Sequence, residues 1–186
     1  MNSNFNPLSP EELVSRINKI PRIRLAQLPT VLEYAPNISK ELNINLYIKR
    51  DDCTALAFGG NKTRHLEFIM AKTLSGEYDC ILTGAASQSN FCRQAVAAAN
   101  KLNLDSYLVL MHGVKGKLMQ GNFLLYNILG ANVDVVDGEN LEDIPKHLDK
   151  KYDELIKEGR KPLLIYGGFG EEDTTLAGIS LSLIHI

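Results

Sequence analysis

Five short runs of β-branched and apolar residues alternate with four longer stretches of helical periodicity, and this alternation limits what the chain can become. The runs are "NLYIKR" (45–50), "CILTGA" (80–85), "SYLVLM" (106–111), "NVDVVD" (132–137) and "PLLIYG" (162–167). Between them the spacing predicts helices over roughly 62–74, 90–102, 120–129 and 141–158. In the last of these, Leu141, Ile144, Leu148, Tyr152, Leu155 and Ile156 share one face, and Gly159 stands where a C-terminal cap belongs. Phe91, Ala95, Ala98 and Leu102 form a stripe whose small side chains predict close packing against a sheet. Strand and helix alternating with short glycine-containing connections predict βαβ units, hence an α/β fold with a parallel sheet.

At 186 residues the chain can enclose one core, or one and a half. A hydrophobic fraction of 45% and a charged fraction of 23% are those of an ordinary globular protein. The formal net charge of −2 supplies no basic field for nucleic acid and no acidic tail for a cationic partner. No apolar run approaches the ~18 residues of a membrane span. "MNSNFNPLSPEEL" lacks a charged-then-apolar leader pattern, so a cytoplasmic location is expected. Cys53, Cys80 and Cys92 form no C-x-x-C pair and read as reduced, buried small hydrophobes. The four histidines are scattered, and no metal site is expected.

Ligands of open parallel sheets bind beyond the carboxyl ends of the strands. Two segments read as lying at such ends, each running straight into a helix: "FGGNK" (58–62) and "GAASQSN" (84–90). Lys62 is the odd residue of the first. The N-terminal turn of a helix is electropositive and stabilises anions, so an ammonium group is misplaced there. A glycine-rich turn followed by a solvated lysine is one explanation. Phosphate cradling of the P-loop kind fails on spacing, because Asn61 occupies the glycine position and no upstream glycine completes the motif. The third explanation is an amine nucleophile: burial and a positive helix end both favour the neutral amine that Schiff-base chemistry needs. Gly59 and Gly60 would then let a flat ring approach the backbone.

Ser87, Gln88, Ser89 and Asn90 fall where a strand becomes a helix. Helix capping explains a serine or asparagine there. Four such residues exceed what one cap requires, and a helix N-terminus with a hydroxyl beside it can also grip a small carboxylate. Both uses remain open on the residues alone.

Taken in order, "LAQLPTVLEYAPNIS", "LYIKRDDCTALAFGGNKTRHLEF", "GAASQSNFCRQAVAAANKL" and "QGNFLLYNILGANV" resemble one known family. It is that of the pyridoxal-phosphate enzymes D-cysteine desulfhydrase and 1-aminocyclopropane-1-carboxylate deaminase, of the tryptophan-synthase-β-like fold (fold type II). The resemblance runs from about Arg24 to Gly178, and its specific part is the pair "KRDD…GGNK-x-R" and "QSN-x-x-RQ" at the expected separation. It implies that Lys62 holds pyridoxal 5'-phosphate as an imine and shuttles the Cα proton. It implies further that Asn90 hydrogen-bonds the cofactor's phenolic oxygen, that Ser89 contacts substrate as nucleophile or carboxylate anchor, and that Gln88 shapes the carboxylate pocket with Ser89 and Asn90. D-cysteine would yield pyruvate, ammonia and sulfide; the cyclopropane acid would yield 2-oxobutanoate and ammonia.

His65 stands where members often carry a second lysine, and Phe91 where the deaminase branch commonly has glutamine, which leans the reading toward the desulfhydrase. Family members are much longer, and "SLSLIHI" (180–186) does not continue their pattern. The expected division is therefore residues 1–50 as the start of a large domain, 51–160 as a complete small domain, and 161–186 as a truncated return to the large one. The phosphate loop and the contact to the pyridine nitrogen would lie in the missing part, so weak cofactor binding and little turnover are expected. A homodimer is expected of the full-length form. L-cysteate as substrate and a non-enzymatic α/β module holding a small anion are the alternatives.

Overall fold

A computed structural model describes residues 8–112, 118–137 and 140–166. The "SLSLIHI" tail, the end of the resemblance near Gly178 and the end of the fifth run at Gly167 lie outside the described residues. The core is a four-stranded parallel sheet of β3 (Cys80–Ala86), β4 (Asp105–Met111), β5 (Asn132–Val136) and β6 (Pro162–Ile165), in the order β5-β4-β3-β6. Cys80 lies opposite both Asp105 and Pro162, so β3, like β4, is an interior strand. Its first five residues are buried, which is why "CILTG" reads as a continuous apolar run rather than an alternating one.

Helices cover both faces. On one, α3 (Lys62–Ile69) and α4 (Asn90–Lys101) pack Leu66, Ile69, Ala95, Ala98 and Ala99 onto Ile81, Leu163 and Ile165. The alanines let α4 sit close to the strands, as their stripe predicts. Val96 and Cys92 of α4 also meet Phe123 and Tyr126 of α5 (Gly121–Ile128) beside Leu108 and Leu110. On the other face, α6 (Ile144–Lys157) sets Ile144, Leu148 and Leu155 against Leu82, Val109 and Met111. A 3-10 turn over Leu141–Asp143 precedes α6, and another over Met70–Ser75 follows α3, so both predicted helices are divided where the hydrogen bonding tightens.

The N-terminal region departs from the sequence expectation. The run 45–50 yields only β2 (Tyr47–Lys49), which pairs antiparallel with β1 (Leu32–Tyr34) in a separate two-stranded ribbon. It is not part of the parallel sheet. Exposure on both strands explains the error, because an apolar run outside a core carries no trace of which strand it will pair with. Two short helices belong to this region, Pro10–Ile17 (α1) before β1 and Pro36–Leu42 (α2) between β1 and β2. The first begins with a capping box, Ser9 accepting from the Glu12 amide and Glu12 accepting from the Ser9 amide. The buried Glu67 carboxylate ties the N-terminal arm to α3: it accepts from the Leu25 and Ala26 amides, each at 2.9 Å, and pairs with Arg22. Residues 162–165, which the sequence groups with the larger unit, hydrogen-bond to β3 in the central sheet. Cys80 and Cys92 are buried, as expected of small hydrophobes, but Cys53 is exposed.

Candidate active site

The two unusual segments reach the same place by different routes. "GAASQSN" leaves the carboxyl end of β3, as expected. "FGGNK" follows the ribbon rather than a strand of the parallel sheet, and it arrives because α3 packs alongside α4. The backbone entering α3 is contorted: Ala55 (φ 72°), Ala57 (45°), Phe58 (68°), Gly59 (71°) and Gly60 (130°) all have positive φ. Three of these are not glycine, and strain of this kind persists only where the surroundings over-determine it.

Those surroundings are specific. Buried Thr54 binds Gly60 twice, its Oγ1 accepting from the amide and donating to the carbonyl, both at 2.9 Å. Thr63 Oγ1 donates to Gln94 Oε1 at 2.7 Å, and Gln94 Nε2 donates to the Gly59 carbonyl at 3.1 Å. Arg64, one residue further on, forks onto Asp51 with two bonds of 2.8 Å. This explains the paired "RDD" and "K-x-R": the ion pair anchors the loop to the helix that carries Lys62. The Arg64 guanidinium, with a smaller contribution from the Thr30 hydroxyl, holds the Asp51 carboxyl below its usual range against the opposing effect of burial. The glycines do not open the backbone to a ring. A Cβ at Gly59 would overlap the Asp52 carbonyl oxygen, and one at Gly60 would stand 2.5 Å from Gln94 Nε2, so the neighbouring protein fills both directions.

Lys62 is the first residue of α3, half-buried, and among the described residues it has neither a hydrogen bond nor an ion pair. Its helix has no side-chain cap and no acidic residue in its first turn. One turn on, His65 is buried with Nε2 unpartnered, and its pKa is pushed down to about 4, chiefly by burial and further by the charge of Lys62.

On the neighbouring helix, Ser89 caps α4, its Oγ accepting from the Cys92 amide at 3.2 Å. The capping role expected of it is therefore real, and the hydroxyl proton remains available to another acceptor. Asn90 accepts at Oδ1 from both Arg93 Nη1 and Asn122 Nδ2, each at 3.0 Å. With its oxygen doubly bound, its NH2 group is the end left to act as a donor. Gln88 is committed elsewhere: Oε1 accepts from the Asn122 amide at 2.9 Å and Nε2 donates to the Gln120 carbonyl at 3.1 Å. Its amide braces the start of α5 and keeps one N–H for any ligand. The sequence reading left Arg93, Gln94 and Asn122 without individual roles. The first two lie in the quoted "QSN-x-x-RQ" and the third in "QGN", so the motifs held them although their contacts were not legible.

These features fit pyridoxal phosphate at its aldehyde and phenol end. An unpaired primary amine stands on one helix terminus, and an amide locked with its N–H bonds outward stands on the next. A family model described as pyridoxal-phosphate dependent enzyme matches residues 23–179. The chain belongs to this family. It is 39% identical over 158 residues to a Pyrococcus horikoshii protein provisionally named 1-aminocyclopropane-1-carboxylate deaminase, covering 84% of this chain and 47% of that one. It is 36% identical over 156 residues to D-cysteine desulfhydrase of Klebsiella pneumoniae, covering 82% and 47%. The crystal structure of an ACC deaminase homologue superposes with a TM-score of 0.82 at 38% identity, over 91% of this chain and 51% of that chain. The fold is thus the α/β fold of type II pyridoxal-phosphate enzymes. The chain spans about half the length of the curated relatives it matches.

Proposed function

We propose that Lys62, Ser89 and Asn90 form the amine-and-donor side of a pyridoxal-phosphate site in a lyase that degrades a small amino acid, with D-cysteine as substrate. The observation that carries this is Lys62, half-buried and without a polar partner among the described residues, at the uncapped start of α3. When bound, the cofactor supplies an electron sink for the bond-breaking at Cα. Lys62 is the residue that would hold it, and its amine is the group that would take the Cα proton. Asn90 Nδ2 donates to the ring oxygen. The Ser89 hydroxyl, beside the Asn90 and Phe91 amides at the head of α4, receives the substrate carboxylate.

1-Aminocyclopropane-1-carboxylate and L-cysteate are the competing substrates. The preference for D-cysteine rests on Phe91, where the deaminase branch commonly has glutamine; its ring is half-buried against two apolar clusters. The proposal includes a small domain from residue 51, extended through β6, with residues 1–50 belonging to a larger one. It also includes a homodimer in the cytoplasm. No helix among the described residues is long and apolar enough to cross a membrane. Turnover by this chain alone is proposed to be slight, so the first readout is covalent. Borohydride reduction with pyridoxal phosphate should label Lys62 and leave Lys62→Ala unlabelled. Label spread equally over surface lysines in both proteins would overturn the assignment. Where turnover is measurable, sulfide from D-cysteine, 2-oxobutanoate from the cyclopropane acid or sulfite from cysteate identifies the substrate.

A further inference from the structure

Arg93 has a charge that the proposed chemistry leaves unused. Its guanidinium is half-buried, its Nε has no partner, and no carboxylate pairs with it among the described residues. Its acceptors are all neutral: Asn90 Oδ1 at 3.0 Å, Asn122 Oδ1 at 2.7 Å and the Gly59 carbonyl at 2.9 Å. Burial lowers its proton affinity, and a cation held this way costs desolvation that no counter-ion offsets.

Asn122 completes the arrangement. It is buried, with Oδ1 turned to Arg93 and Nδ2 turned to the Gln88 carbonyl at 2.8 Å and to Asn90 Oδ1 at 3.0 Å. A carboxamide has one accepting and one donating end of nearly equal size, so only its partners decide which faces a ligand. Rotating Asn90 by half a turn would set its NH2 against two donors. The same Arg93 reaches the Gly59 carbonyl, three residues before Lys62, and so ties the two halves of the site together.

We propose that Arg93 and Asn122 are positioning residues that hold the Asn90 amide with its NH2 outward, and that the Arg93 charge, acting through that amide, biases it toward an anionic oxygen. This rests on the pyridoxal-phosphate reading of Lys62 and Asn90. Polarisation along a hydrogen-bonded chain strengthens the terminal donor.

Two variants test it, measured for thermal stability, pyridoxal-phosphate affinity and the pH midpoint of the visible band of the Lys62 adduct. Asn122→Asp offers Arg93 a carboxylate, so the fold keeps or gains stability, yet it presents oxygen where Asn90 Oδ1 and the Gln88 carbonyl need N–H groups. Arg93→Lys keeps the charge and loses the fork. Both should weaken binding by about tenfold or more. Both should also move the midpoint upward, because an oxygen deprived of its donor holds a shared proton more tightly. Parent-like affinity and midpoint in both variants overturn the positioning role. So does a loss of affinity that merely tracks a fall in melting temperature. Failure of the parent chain to form any Lys62 adduct instead sinks the cofactor reading and takes this assignment with it.

Discussion

The start of α3 and the start of α4 lie side by side and are built in opposite ways. α4 is an ordinary helix end, with Ser89 in extended conformation and its hydroxyl on the Cys92 amide. α3 begins from Asn61, which is already helical at φ −63° and ψ −20° and so cannot cap. A lysine follows, and three residues later a histidine. What α3 lacks in capping is supplied from outside the helix, by the Asp51–Arg64 pair and the Thr54, Thr63 and Gln94 bonds. A helix terminus held by its neighbours rather than by its own cap can keep an amine in its first turn.

The contrast is broken most severely at its external support. Arg64→Ala should cost about 3 kcal/mol or more, because it strands a largely buried Asp51 carboxylate. Urea titration measures this, and an effect as small as that of a surface substitution would remove the ion pair from the account. The pH dependence comes next. The folded state holds the His65 pKa at about 4, whereas the unfolded chain protonates near 6.5. The unfolded state therefore takes up a proton in that window that the folded state refuses, and stability falls as pH drops from 6.5 toward 4, by roughly 2–3 kcal/mol. His65→Leu should flatten this limb in acid titrations followed by circular dichroism. Ser89→Ala removes the working cap and should cost about 1 kcal/mol in thermal melts. Asn61→Ala sharpens the comparison, since a residue that makes no capping bond should cost less than about 0.5 kcal/mol. Equal costs at Ser89 and Asn61 would mean that the two termini are alike after all.

Much of this was legible beforehand. The strands 80–85, 106–111 and 132–137 were read to within a residue, the first two because a largely buried strand is apolar along most of its length, the third by its β-branched valines although it lies exposed at the sheet edge. Lys62 stood out because its charge is wrong for its position, and Ser89 because its chemistry suits a cap. β1 and the fate of "NLYIKR" were not legible, since a three-residue ribbon exposed to water has no core to pattern it. Gly59 and Gly60 were misread: the sequence shows that a Cβ is forbidden there but not what forbids it, which turned out to be Asp52 and Gln94.

The sequence by itself determined the local quantities, namely strand and helix periods, the glycine-rich entry to one helix and the serine cap of the next. Periodicity and capping act over a few residues, and a few residues suffice to encode them. Only the tertiary structure decided that Gly59 and Asn122 would meet at Arg93, and that Asn122 would also reach Asn90. Those contacts join positions about thirty residues apart, and they exist because α3, α4 and α5 are set side by side through their packing on the sheet and on one another. The direction of the Asn90 amide, on which the proposed chemistry turns, is fixed by one local bond from Arg93, a turn further along α4, and by the bond from Asn122 that only this packing brings within reach.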